Sequence, residues 1–347
     1  LLKKVILNKS ITMGGIQLVS SKDVAARAGV SQTTVSRVLN TPELVKKPTV
    51  DKVMKAIEEL SYVPNGHARS LVQNKTNTIA LISGPLHNPF FVDTTSAIVK
   101  YANELGYRVH VQFINDEQIT EAYAAAIENK VDGVILSCIL LDDPIFDKLK
   151  RMQIPFITYN RKHKSDEWFV EIDNYKAGYL AAQHVINLGH QHIVWIGGPL
   201  SVSTYLHRYK GFNKAIEDNH LSLADSDIFI TDTSIESMRD VFQELTSREH
   251  VPTAICAGSD SIALDAIDIA LQNGLNVPED VSIIGIDNVG ISKHQFIQLT
   301  TVGSISEQNL GLVAIKRLIE LIENKENSCI KHTESVKLFN RKTVREV

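Results

Sequence analysis

The chain has 347 residues, 44% of them hydrophobic and 22% charged, with a formal net charge of −4 at neutral pH. That length allows two or three domains and a large core. The cysteines Cys138, Cys256 and Cys329 are too far apart for a C-x-x-C metal site or a disulfide framework, so no metal or cofactor is implied.

No apolar run is long enough to span a membrane. Leu1–Gly15 lacks the long apolar core and small-residue cleavage site of a secretion leader, so the expectation is a cytoplasmic protein. The net charge conceals a division. Residues 1–75 hold 12 basic and 5 acidic side chains, a net of +7, and the remainder holds 24 basic and 35 acidic, a net of −11. A basic head on an acidic body is suited to meet a polyanion with the head alone.

In chain order, residues 1–18 read as a tail. Residues 20–61 read as three short helices. Ser20-x-x-Asp23 is a capping box, and the first helix runs to about Ala28, where Gly29 suits a left-handed stop. Ser31 caps a second helix over about Gln32–Asn40. Pro48 suits the first turn of a third, whose apolar positions Val50, Val53, Met54, Ile57 and Leu60 follow helical spacing. On the second helix Val35, Val38 and Leu39 share one side and can pack on helix one. Thr33 and Arg37, four apart, share another, beside Gln32 and Ser36. Short hydrogen-bonding groups and one guanidinium suit base edges in a major groove.

Next comes Pro64-Asn-Gly-His-Ala-Arg-Ser-Leu-Val72. Asn65 can cap a helix of about two turns, which is marginal alone and weakened by Gly66, so it should form only against a partner.

After Thr76 short apolar runs alternate with longer helical stretches. Strands are predicted at Thr78–Ser83, Val109–Phe113, Gly133–Ser137, Phe156–Tyr159, Ile193–Gly197, Ala254–Ala257, Val281–Gly285 and Thr300–Val302. Helices are predicted at Asp93–Leu105, Glu121–Asn129, Ala177–Leu188, Tyr209–Asn219, Ile235–Thr246, Ile262–Asn273 and Gln308–Glu323. This alternation implies parallel sheets covered on both faces, and the number of strands implies two sheets.

The segment Asp23–Asn40, followed by Tyr62-Val-Pro-Asn65, resembles the lactose-repressor (LacI/GalR) family of bacterial transcription regulators. The resemblance extends through Asn88-Pro-Phe-Phe91, Asp173-Asn-x-x-Ala-Gly178, Arg208-x-x-Gly-Phe212, Gly258-Ser-Asp260, Val277–Asn288 and Arg341-x-Thr343. It implies an α/β fold: an N-terminal three-helix helix-turn-helix with a hinge helix, then a two-lobed, periplasmic-binding-protein-like (Rossmann-like) sensor. The implied boundaries are 1–18 for the tail, 19–63 for the DNA-binding domain, 64–76 for hinge and linker, and 77–347 for the effector-binding and dimerisation domain.

By the same resemblance, Ser31, Gln32, Thr33, Thr34, Ser36, Arg37 and Asn40 face DNA from the recognition helix. Asn65, His67, Ala68 and Leu71 do so from the hinge, with Leu71 as a wedge between bases of the minor groove. Effector contacts fall to Asn88, Phe90, Phe91, Arg161, Asp173, Arg208, Ser259 and Asp287, where strands of open α/β sheets end. The expected partners are palindromic operator DNA, a sugar or sugar-phosphate effector, and a second copy of the chain. The expected role is repression of a carbohydrate-utilisation operon.

One stretch departs from the family pattern. Thr231-Asp-Thr-Ser-Ile235 carries no aromatic ring where many members stack one on the effector, leaving Phe90, Phe91 or Trp168 as substitutes. A transport binding protein and a sugar enzyme are the other classes considered. The first leaves the basic head unexplained, and no phosphate loop, metal-ligand spacing or nucleophile motif supports the second.

Overall fold

The computed structural model describes residues 19–63, 75–114, 119–324 and 329–347. The tail 1–18 and the hinge residues Asn65, His67, Ala68 and Leu71 lie outside the described residues. The chain divides into two compact units at Thr76 and Asn77.

The first unit holds helices α1 (Ser21–Ala28), α2 (Gln32–Asn40) and α3 (Lys47–Glu59). The Ser20/Asp23 capping box forms in both directions, and Gly29 ends α1 in the left-handed region at φ 66°. Val24, Ala25, Val35, Val38, Val53 and Ala56 make a small closed core, with Leu39, Val50, Ile57 and Leu60 packed against it. Met54, expected on the inner face of α3, is 51% exposed. The inner face of α3 is made instead by Val53 and Ala56, three residues apart.

The second unit holds two six-stranded sheets. Lobe one contains β1 (Thr78–Ser83), β2 (Arg108–Phe113), β3 (Gly133–Leu136), β4 (Phe156–Tyr159), β5 (Phe169–Ile172) and β11 (Lys331–Glu334), in the order β11-β5-β4-β3-β1-β2 and all parallel. Lobe two contains β6 (Ile193–Gly197), β7 (Ile228–Ile230), β8 (Ala254–Ala257), β9 (Ser282–Ile286), β10 (Thr300–Ser304) and β12 (Val336–Phe339), in the order β12-β10-β9-β8-β6-β7. Only β12 is antiparallel to its neighbour. The helices are α4 (Pro89–Glu104), α5 (Ile119–Glu128), α6 (Ile145–Met152), α7 (Asn174–Asn187), α8 (Ser203–Asp218), α9 (Ile235–Ser247), α10 (Asp260–Gln272) and α11 (Leu310–Asn324).

The main chain passes between lobes three times: from β5 into α7, from β10 into α11, and from β11 into β12. Parallel strands need crossover helices, so every sheet face is covered and the strands read as short apolar runs rather than alternating ones. The central strands are buried along their whole length.

Four strands and one helix were not expected from sequence. β11 reads Lys-His-Thr-Glu, a polar edge strand with no apolar signal. β5 is interrupted by Glu171, whose carboxylate is buried but paired. β7 and β12 are short and only partly buried. Helix α6 spans eight residues, too few for helical periodicity to stand out. Three expected helices start three or more residues earlier than their apolar periodicity indicates: α4 begins at Pro89 rather than Asp93, α7 at Asn174 rather than Ala177, and α8 at Ser203 rather than Tyr209.

Candidate functional site

In the head, α2 carries a polar exposed face. Ser31, Gln32, Thr33, Ser36 and Arg37 are exposed, Thr34 and Asn40 are half-buried, and Val35 and Val38 turn inward. The Ser31 hydroxyl accepts the Thr34 amide at 3.1 Å, fixing the helix start. Gln32 Nε2 donates to Ser21 Oγ at 2.8 Å, pinning this side chain against α1, and Asn40 Nδ2 donates to Ser36 Oγ at 3.3 Å. Arg37 makes no ion pair with any described residue, in contrast to Arg27, which pairs with Glu59 at 2.5 Å. A guanidinium without a carboxylate, on the exposed face of a capped helix, remains free for an external acceptor.

In the second unit, a cavity of about 110 Å³ lies between the lobes at the C-terminal strand ends. Seven of the eight sequence-predicted effector residues line it: Asn88, Phe90, Phe91, Arg161, Arg208, Ser259 and Asp287. Asp173 does not. Its Oδ1 accepts the Lys176 amide at 2.9 Å as the N-cap of α7, and it lines neither this cavity nor its neighbour. A carboxylate one residue before a helix satisfies the helix's own orphan amides first.

Arg208, 1% exposed, is the centre of the site. Its Nε donates to Asn174 Oδ1 at 2.9 Å, one terminal nitrogen to the Gly258 carbonyl at 2.8 Å, and the other to Asp287 Oδ1 at 2.5 Å. Three of its five N–H groups are thus used by the protein, and two remain. Asp260 lies behind Asp287, fully buried, accepting from Thr301 Oγ1 at 2.5 Å and from the Val289 amide at 2.9 Å. Burial, reinforced by the Asp287 carboxylate, pushes Asp260 up to about 7. Asp287 is also raised by burial, against the opposing effect of Arg208. Asp287 sits at φ 134° and Asn288 at φ 53°, so the loop leaving β9 is held in a conformation that side chains rarely adopt. Arg341 anchors that loop, bonding Asn288 Oδ1 and the Leu299 carbonyl at 2.5 Å each.

Asn88 and Ser259 do double duty as N-caps. Asn88 Oδ1 accepts the Phe90 amide at 3.0 Å, and Ser259 Oγ the Ile262 amide at 3.3 Å. Arg161 donates to the Cys138 carbonyl at 3.0 Å, which aims it from lobe one. The lobes are clasped beside it: the Lys162 amide donates to Ser203 Oγ at 2.8 Å and Thr204 Oγ1 to the Asn160 carbonyl at 2.5 Å.

The stretch 231–235 carries no ring, and another element brings one to the cavity wall. Tyr205, on the first turn of α8, lines the cavity with its ring lying over Gly198, where any Cβ would overlap it. Trp168 is not a substitute, since it packs against Phe146, Phe156 and Lys150 within lobe one. Asn160, Thr204, Tyr205 and Thr233 are lining residues that sequence reasoning missed. An earlier start for α8 would have exposed two of them. A second cavity, of about 420 Å³, shares Phe90, Asn160, Arg208 and Asp287 with the first. Ligand sites usually have about 300–1,000 Å³, so the first cavity alone is small and the second is of ordinary size. Among the described residues no group of His, Cys, Asp or Glu could hold a metal ion, and no helix is long and apolar enough to cross a membrane.

A capped helix-turn-helix with a free cationic face, together with a two-lobed cleft rich in polar groups, defines the class of ligand-responsive DNA-binding regulators. Comparison with known proteins agrees. The family model for bacterial regulatory proteins of the lacI family matches residues 21–65, and that for periplasmic binding proteins and the sugar binding domain of the LacI family matches residues 76–342. The chain is 34% identical to the HTH-type transcriptional repressor PurR of Klebsiella pneumoniae (strain 342) over 328 residues, 93% of this chain and 96% of that protein. It is 35% identical to PurR of Actinobacillus pleuropneumoniae serotype 3 over 305 residues, 87% and 90%. The Lac repressor dimer bound to operator and the anti-inducer ONPF superposes with a TM-score of 0.80 at 27% identity, over 95% of this chain and 100% of that one. The chain belongs to the lacI family of bacterial regulatory proteins and is a transcriptional regulator, as these relatives are, rather than an enzyme.

Proposed function

We propose that the protein is a sequence-specific repressor that binds a palindromic operator as a homodimer in the cytoplasm and is controlled by a small polar effector. One observation carries this reading: α2 presents Thr33, Ser36 and Arg37 on its exposed face while Val35 and Val38 secure its other side. Gln32 reads DNA from its bond to Ser21, and Ser31, Thr34 and Asn40 hold the frame of the helix and its nearest phosphates. Asn65, His67, Ala68 and Leu71 form the minor-groove element, with Leu71 unstacking the central step. The boundaries at 19–63, 64–76 and 77–347 separate reader, hinge and sensor.

The effector is a sugar or sugar phosphate, and the regulated genes serve carbohydrate utilisation. Support comes from a cleft in which the two remaining Arg208 donors, Asp287, Arg161 and Asn88 offer partners for hydroxyls, and Phe90, Phe91 and Tyr205 offer ring faces. Ser259 adds a hydroxyl at the cleft wall. Effector occupancy changes the spacing of the lobes, and so how the hinge segments of two copies meet DNA. Selection from a random-sequence DNA pool by the full chain tests the reading. A palindromic motif should be enriched, and a pool without any motif would refute sequence-specific binding.

A further inference from the structure

We propose that Asn174, not its neighbour Asp173, is the positioning residue of the cleft, and that it ties Arg208 to lobe one through Glu171 and Lys162. This rests on the effector reading of the cleft but adds a residue and a connection to it.

Asn174 is the first residue of α7, immediately after the first passage of the chain between lobes, and is 3% exposed. Its Oδ1 accepts Arg208 Nε at 2.9 Å, and its Nδ2 donates to Glu171 Oε2 at 3.0 Å. The two partners leave the amide only one orientation, because a guanidinium can only donate and a carboxylate only accept. Glu171, on β5 of lobe one and 4% exposed, reaches the Lys162 ammonium at 2.9 Å with its other oxygen. Lys162 follows Arg161 and belongs to the loop clasped to Ser203 and Thr204. A continuous chain, buried except at the partly exposed Lys162, therefore runs from the lobe-one loop carrying Arg161 to the lobe-two arginine that faces the cavity. Both of its cations are compensated within it, Lys162 by Glu171 and Arg208 by Asp287.

The approach of α7 to α8 makes this geometry rigid. A Cβ at Gly178 would overlap the Arg208 carbonyl, and one at Gly211 would overlap that of Tyr175, so the helices touch backbone to backbone next to the Asn174–Arg208 bond. A short amide suffices to span a gap that the glycines close. Without it, Arg208 Nε would be buried with no acceptor, and the guanidinium would turn toward whatever acceptor remained.

Hydrogen exchange of the Arg208 Nε–H, followed by nitrogen-15 NMR on the full chain without any ligand, reads this directly. Asn174→Ala is expected to speed that exchange about tenfold or more while backbone amides of α7 and α8 keep their protection. Asn174→Asp, which restores an acceptor, is expected to return it toward the wild-type rate. Glu171→Gln is expected to speed it several-fold, since lobe one would no longer hold the amide. Wild-type exchange in Asn174→Ala, or no rescue by Asn174→Asp, would overturn the positioning role, and no effect of Glu171→Gln would remove lobe one from the chain. Should Asn174→Ala fail to fold, Asn174→Ser, too short to bridge both partners, carries the same two outcomes. These results do not depend on an effector. Failure of every sugar to stabilise the protein would reject the effector reading and leave this one standing.

Discussion

Arg208 and Asp287 meet at 2.5 Å with 1% and 5% of their side-chain surface exposed, although 79 residues separate them in sequence. The pair is buried on every side except toward the two cavities it lines. Removing one partner should therefore cost far more than removing both. Arg208→Ala leaves two buried carboxylates facing each other and is expected to lose about 3–5 kcal/mol of stability. The double variant Arg208→Ala/Asp287→Ala should recover much of that loss. Urea unfolding of the four members of this cycle measures the coupling, and additive losses would mean that the pair does not act as a unit.

Asp260 sets a pH dependence. An ordinary aspartate titrates at 3.8, whereas buried Asp260 holds its proton up to about 7. Between those values the folded chain binds more protons than the unfolded one, so this group's contribution to stability falls as pH rises through the window. Arg208 and Arg341 face the same cluster. Asp260→Asn should therefore gain on the wild type as pH rises from roughly 5 to 8. Melting temperatures across that range check it, and parallel curves would place the titration elsewhere.

Much of this site was legible in the sequence, because residues that follow strands in an α/β pattern converge at the cleft. Seven of the eight positions expected to meet an effector line the cavity there for that reason. Asp173 caps α7 and lines neither cavity, because an aspartate suits a helix cap as well as a ligand contact and only the direction of α7 decides between them. Tyr205 was missed because the first turn of α8 carries too few apolar residues to show its periodicity. Asn174 could not be found from spacing, since its two partners lie on different lobes and Arg208 is 34 residues away in sequence. In the head, by contrast, caps and core are local, and Ser20, Gly29, Ser31 and Val35 behave as their sequence neighbours dictate.

Gly178 tests the helix contact that supports the cleft. Gly178→Ala places a methyl group on the Arg208 carbonyl, which is backbone and cannot move aside alone. Separation of α7 from α8 is expected, at about 1–3 kcal/mol or more. Arg208 Nε–H exchange should accelerate with it. Calorimetry showing a melting temperature equal to wild type would contradict the close packing.

Ser31 tests the head separately. Ser31→Ala removes the acceptor for the Thr34 amide and should cost the head about 1 kcal/mol. Thermal unfolding followed by proteolysis at the head should shift, while the sensor's transition should not.

Arg37 is the cation of α2 proposed to read DNA, and operator affinity measured by fluorescence anisotropy at fixed salt decides whether it does. Using the palindrome recovered by selection, Arg37→Ala should weaken specific binding by about 1–3 kcal/mol or more, roughly 5- to 150-fold, with the sensor's melting transition unchanged. Equal affinity of wild type and Arg37→Ala for that operator would contradict the account.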